Sequence, residues 1–126
     1  MADTATREIG LFKHSKEFTA HLAGTVIFRD GEAGDAMYAV RSGSVELKIG
    51  DRVVETVGAG GIFGEMALID AGPRSATAVT TVESEIVRVD EKQFNFLVQQ
   101  TPFFALQVMR ILAARLRQAN VEAGRA

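Results

Sequence analysis

The sequence predicts a mostly-β fold: an antiparallel β-barrel or double-stranded jelly roll, with a short helical turn mid-chain and two C-terminal helices. Three observations carry that expectation. Short runs rich in β-branched and apolar residues, one alternating strictly with period two, are closed every few residues by Gly, Asp or Ser. Twelve glycines stand against two prolines, which suits many tight turns. After Asp90 the apolar spacing changes from that of a strand to that of a helix.

Residues 1–7 are small and polar and are expected to fray. Ile9, Leu11, Phe12 and Phe18 are too few to set a period and suggest a short helix or turn. Strand signals begin at Thr25-Val26-Ile27-Phe28, followed by the turn residues Asp30-Gly31-Glu32-Ala33-Gly34-Asp35. A second strand is expected over 37–41, with Ser42-Gly43 as its turn. Ser44–Ile49 alternates polar and apolar without a slip, the mark of a strand with one wet face. Gly50-Asp51 is a two-residue hairpin connection with Gly first, suited to type II′, and 52–57 returns as the partner strand. Two more strands are expected at 77–82 and 85–89.

Asp90 followed by Gln93 is a capping-box variant that opens a helix over 91–98. Thr101-Pro102 offers a capping hydroxyl before a Pro at the first helical position, so a second helix is expected to run to about Glu122, with Gly124 as its stop. On it Met109, Leu112, Leu116, Ala119 and Ala123 recur at spacings of three and four, a coiled-coil-like seam. Phe104, Val108 and Ile111 lie on an adjacent face that leans on the barrel. The seam serves either a dimer contact or packing on its own barrel, and both stay open here.

At 126 residues the chain is expected to be one domain, with the barrel over about 22–90 and the helices over about 90–122. Hydrophobic residues make up 47% and charged residues 24%, a globular balance. A net charge of -2 argues against a nucleic-acid surface. With no Cys, disulfides, thiolate metal sites and Cys nucleophiles are excluded. No apolar run approaches a membrane span and no signal-peptide pattern opens the chain, so a cytoplasmic protein without a membrane partner is expected. His14 and His21 both precede the barrel, which leaves no His set for a metal on several strands. No Gly-Lys-Ser/Thr follows the glycines, and Gly58-Ala59-Gly60 fails as a dinucleotide fingerprint because position 63 is Phe. No catalytic triad is visible; neither an enzyme nor a cofactor is expected.

Binding chemistry concentrates in Gly60-Gly61-Ile62-Phe63-Gly64-Glu65-Met66-Ala67-Leu68-Ile69, continued by Asp70-Ala71-Gly72-Pro73-Arg74-Ser75-Ala76-Thr77. Glycines let backbone approach a ligand closely. The run 66–69 is long enough for one helical turn, whose free N–H groups would face whatever Gly64 and Glu65 face. Pro73 stiffens the exit and Arg74 returns a fixed cationic fork. Such a set suits a ligand that is anionic on one side and carries a hydroxyl on the other.

This stretch resembles the phosphate-binding cassette of the cyclic nucleotide-binding domain family, whose pattern runs Phe-Gly-Glu, an apolar turn ending in Ala-Leu, then Pro-Arg-Ser/Ala/Thr-Ala-Thr. Phe63-Gly64-Glu65-Met66-Ala67-Leu68 and Pro73-Arg74-Ser75-Ala76-Thr77 match it throughout. Gly34-Asp35-Ala36-Met37-Tyr38, with Gly43 after it, is similar to the family's Gly-Asp…Tyr…Gly signature. The resemblance covers roughly residues 22–120. It implies that Arg74 takes the exocyclic oxygens of a cyclic phosphate and that Glu65 accepts from the ribose 2′-hydroxyl. Phe63, Gly64, Met66 and Ala67 would complete the cradle, and Ala76 would add a backbone N–H. Ser75 would place a hydroxyl beside Arg74; a Thr in that slot accompanies guanine nucleotides in the family, so Ser75 leans to cAMP, with cGMP the alternative. The base would lie between the barrel and the last helix, near Arg115, Ala119 and Asn120, of which Asn120 offers both donor and acceptor. Leu47, Val57, Ile62, Phe63 and Val79 would line the pocket or fill the core.

The function so implied is a regulatory sensor that signals through movement of its C-terminal helices to a protein effector, with a homodimer through the last helix as a further partner. Bacterial cAMP receptor proteins carry a helix-turn-helix after that helix, and none is seen up to Ala126. The expectation is a sensor acting on a partner or belonging to a larger protein. A dimerising scaffold that keeps the fold without binding nucleotide is the competing reading, and the presence of both Glu65 and Arg74 favours the sensor.

Overall fold

Among the described residues eight strands form two sheets of four, and every strand pairing is antiparallel. In the computed structural model, which describes residues 8–124, one sheet runs β1 (Thr19–His21), β8 (Ser84–Asp90), β3 (Ala36–Ser42), β6 (Ile62–Phe63). The other runs β2 (Val26–Phe28), β7 (Thr77–Thr80), β4 (Ser44–Ile49), β5 (Arg52–Gly58). The jelly-roll expectation is met. The fraying expected of residues 1–7 lies outside the described residues.

The first sheet is buried on both faces. Met37, Ala39, Ile62, Val87 and Val89 pack from one side against Ile9, Phe12, Phe104, Val108 and Ile111 of the helical layer. Val40, Phe63 and Ile86 point the other way and meet Phe28, Val45, Val57 and Ala78 of the second sheet. Burial on both sides is why Met37-Tyr38-Ala39-Val40 reads as an unbroken apolar run rather than an alternating one.

The second sheet turns at Gly50, whose φ of 62° fits the first position of a type II′ connection, and Ile49 pairs with Arg52 across it. Beyond the turn the register shifts: Lys48 pairs with Val53 but Leu47 with Glu55, which leaves Val54 as an extra residue. Because strand sides alternate, a one-residue bulge exchanges the faces of everything after it. Glu55 and Val57 therefore share the inner face with Leu47 and Val45.

Four helices complete the described residues. The one-turn α1 (Gly10–Lys13) seats Phe12 edge-on against Phe104, ring centroids 6.0 Å apart. The second, α2 (Met66–Ile69), belongs to the site described below. For α3 (Glu91–Gln100) the capping box is complete: Gln93 N–H donates to Asp90 Oδ1 at 2.8 Å and Asp90 N–H to Gln93 Oε1 at 2.9 Å. The long α4 (Pro102–Glu122) begins with Pro as expected, but the Thr101 hydroxyl makes no capping bond. Instead Phe104 N–H donates to the Thr101 carbonyl at 2.8 Å. Packing of Phe104, Val108 and Ile111 holds this helix, so its start does not need the side-chain cap. Gly124 follows its end with φ 77°.

Three elements differ from expectation. β1 has no alternating pattern of its own; its order comes from pairing Thr19, Ala20 and His21 against β8. Residues 62–63 form a strand beside β3. The strand expected over 77–82 stops at Thr80, whose hydroxyl donates to the Leu22 carbonyl at 2.8 Å and accepts from Thr25 N–H at 2.9 Å.

Candidate functional site

A cavity of about 550 Å³ lies between the β4–β5 hairpin, the segment after β6, and α4. Its walls are two-sided in chemistry. Leu47, Ile49 and Val54 from the hairpin, with Leu112 and Leu116 from α4, make an apolar wall. Four charged side chains, Glu55, Glu65, Arg74 and Arg115, stand among the remaining lining residues.

Arg74 is only 6% exposed. Its backbone is tied to the turn before β3, with N–H donating to the Glu32 carbonyl at 2.8 Å and its own carbonyl accepting from Gly31 at 2.7 Å. Nη1 donates to the Gly64 carbonyl and Nη2 to the Ala36 carbonyl, both at 2.8 Å. The guanidinium carbon sits 4.1 Å from the Phe28 ring centroid, a cation–π stack. Gly64, at φ 74°, is required here: a Cβ would fall 2.7 Å from Nη1 and 3.0 Å from Phe28. Nε is buried with no partner. Burial lowers the Arg74 pKa below the ordinary guanidinium value, although Asp35, Glu32 and Glu65 oppose the effect from a distance. The guanidinium is therefore a buried cation whose side-chain hydrogen bonds go to backbone carbonyls and to no carboxylate, with Nε packed against Gly34.

Glu65 is 5% exposed, at the head of α2. One of its oxygens, Oε1, accepts from Arg115 Nη1 at 2.9 Å. The same arginine donates Nε to both oxygens of Glu55, at 2.9 and 3.2 Å, and Nη2 to Glu55 Oε2 at 3.0 Å. Nη2 also reaches the Ile62 carbonyl. Burial alone would lower the Arg115 pKa, but the Glu65 and Glu55 carboxylates outweigh it and raise the value. Arg115 thus joins β5, α4 and the loop before α2, and its charge is already matched. Of the two arginines that line the cavity, Arg74 is the one with no carboxylate hydrogen-bonded to it.

The structure brings together Gly64, Glu65, Met66, Ala67, Arg74, Ser75 and Ala76 along the cavity wall. Phe63 does not line it. Its side chain points into the core between the sheets, stacked on Tyr38 at 5.5 Å, because β6 alternation sends residue 63 away from the opening. Asn120 does not line it either. It lies one turn past Leu116 on the same helix face, and at Leu116, already 63% exposed, α4 has reached the cavity's edge. Ala119 is likewise exposed and outside the lining. Of the residues expected to line the pocket or fill the core, Leu47 lines it and Val57 and Ile62 are core, while Val79, half-buried and paired with Glu46, does neither. Sequence reasoning missed Glu55 as a site residue. Its signal was the broken alternation of Val53, Val54 and Val57, which marks the bulge.

Among the described residues no cluster of His, Asp or Glu is arranged to hold a metal ion, and no helix is long and apolar enough to cross a membrane.

Comparison with known proteins agrees with this geometry. The model of the cyclic nucleotide-binding domain family matches residues 19–101, the span from β1 through α3. The cyclic AMP receptor protein of Thermus thermophilus is 38% identical over 104 residues, covering 79% of this chain and 48% of that protein. A cyclic nucleotide-gated potassium channel of Rhizobium etli is 39% identical over 93 residues, covering 74% of this chain and 26% of the channel. The crystal structure of Thermus thermophilus catabolite activator protein superposes with a TM-score of 0.78 at 33% identity, over 91% of this chain and 56% of that one. The chain therefore spans about half the length of the first relative and a smaller part of the channel. The family match runs across the strands and the loop that carry Glu65 and Arg74, and the chain belongs to the cyclic nucleotide-binding domain family.

Proposed function

We propose that the cavity binds a cyclic nucleotide, cAMP in preference to cGMP, and that the domain acts as a regulatory sensor. The observation that carries this reading is the buried Arg74 guanidinium, which lines the cavity with no carboxylate hydrogen-bonded to it. The cyclic phosphate takes Arg74, and the ribose 2′-hydroxyl donates to Glu65. The base lies along the apolar wall of Leu47, Ile49, Val54, Leu112 and Leu116. Ser75 at the mouth and the name of the Thermus receptor support the adenine preference.

Signalling runs through α4. Leu112, Arg115 and Leu116 already face the cavity, so an occupant adds contacts to a docked helix. Only that added contact energy can shift the helix equilibrium. The output reaches a protein effector, or a second copy of the chain across the outer face of α4, where Met109 is 57% exposed. Sedimentation at graded concentrations tests the second route; a monomer throughout, with and without nucleotide, removes it.

Thermal unfolding with added nucleotide tests the binding itself. Saturation at one hundred times Kd adds about 2.7 kcal/mol to stability. A clear rise with cAMP, smaller with cGMP and absent with 5′-AMP, is expected. No rise with either cyclic nucleotide overturns the reading.

A further inference from the structure

We propose that Glu55 is a positioning residue: by gripping Arg115 from β5, it sets the Glu65 carboxylate to read the 2′-hydroxyl of the bound nucleotide. This rests on the reading of the cavity given above and adds a specificity device to it.

The bulge makes the device available. In an unbroken hairpin closed by Ile49 and Arg52, Leu47 would oppose Val54 and Glu46 would oppose Glu55, turning Glu55 to solvent. The extra residue at Val54 reverses this and delivers a carboxylate to a largely apolar wall. Burial of that charge is costly unless it is paired, and Arg115 pairs it.

The division of Arg115 between two acids then decides what Glu65 can do. A lone arginine facing a carboxylate favours a fork-on-fork pair that uses both oxygens. Here Glu55 has taken that edge of the guanidinium, through Nε and Nη2. The second Nη2 direction goes to the Ile62 carbonyl, and Nη1 alone meets Glu65, at Oε1. Among the described residues no hydrogen-bond donor meets Glu65 Oε2. Two carboxylates sharing one guanidinium leave a local excess of negative charge, so the open oxygen selects a donor such as a hydroxyl and repels an acceptor.

The test is equilibrium binding of cAMP and 2′-deoxy-cAMP to the 126-residue chain and to its Glu55→Gln and Glu55→Asp variants. The parent is expected to prefer cAMP by about tenfold or more, the worth of a charge-assisted hydrogen bond. In Glu55→Gln, Arg115 is free to turn its fork onto Glu65, and the preference is expected to fall to within about threefold of none. Glu55→Asp keeps the charge on a side chain one methylene shorter; it should show an intermediate preference, and it carries the test if the Gln variant does not fold. A Glu55 that merely braces the fold would weaken both nucleotides alike, and an unchanged preference ratio overturns the proposal while leaving the cavity reading intact. A parent chain that binds both nucleotides equally also overturns it. A parent that binds neither overturns the cavity reading, and this inference with it.

Discussion

Replacing Gly34 by Ala presses on the Arg74 seat from behind. A Cβ at position 34 would lie 2.5 Å from Arg74 Cζ, 2.5 Å from Nε and 2.8 Å from Nη2. Gly34 itself needs no unusual backbone angle, so the effect comes from the contact alone. Restoring ordinary van der Waals distance shifts the guanidinium by about 1 Å, which takes at least one of its two 2.8 Å bonds beyond useful length. A hydrogen bond from a charged donor contributes about 1.5–3 kcal/mol. Fewer unfolded conformations for Ala than for Gly return about 0.4–1 kcal/mol. The expected result is a loss of roughly 1–2 kcal/mol of stability, read by denaturant unfolding. Affinity for cAMP should fall about tenfold or more, since the phosphate's partner is displaced. Gly58→Ala is the control: nothing lies within 4 Å of its Cβ, so cAMP affinity should stay at the parent value and stability should rise by about 0.4–1 kcal/mol. A Gly34→Ala variant that is as stable and binds as tightly as the parent would refute the account of the Arg74 seat.

Other outcomes follow from the fold. Asp90→Ala removes the acceptor of the α3 capping box and should cost about 1 kcal/mol in urea unfolding; a change below a few tenths would mean the helix does not use its cap. Phe104→Ala empties a fully buried position between Phe12 and Phe94 and should cost about 3–5 kcal/mol, the range for large core truncations. Amide exchange on α3 and α4 should slow when cAMP is added. Equal protection in both states would remove the helix signalling step and leave binding untouched.

Much of this arrangement was legible in the residues, and the reasons differ by element. Ser44–Ile49 declared itself because one of its faces is wet, so its polarity alternates. The α3 start was equally plain, since a capping box is a local hydrogen-bond exchange that needs nothing from the rest of the chain. Arg74 and Glu65, which both line the cavity, stood out because residues 63–68 and 73–77 resemble the family's cassette. β1 was not legible: three residues, two of them exposed, acquire strand geometry only from β8. Thr101 misled because a capping residue type was present where tertiary packing makes the cap unnecessary. Asn120 misled because helix periodicity gives the correct face but not where the barrel ends beneath it.

Glu55 shows what a pairwise reading of strands leaves out. Its inward position is set by register, a property of two strands together, and a single inserted residue changes it. With Glu55 outside, Arg115 appears as a free helix arginine available to a base. With Glu55 inside, the same arginine is committed to two carboxylates and a carbonyl, and Arg74 is the lining arginine without a carboxylate partner.

The most direct test of the central claim is calorimetric titration of the parent chain and of Arg74→Ala with cAMP and, separately, cGMP. The account predicts a saturable isotherm for the parent, stronger with cAMP, that collapses in an Arg74→Ala variant that still unfolds cooperatively. An Arg74→Ala protein that binds as tightly as the parent, or a parent that gives no binding with either nucleotide, would contradict it.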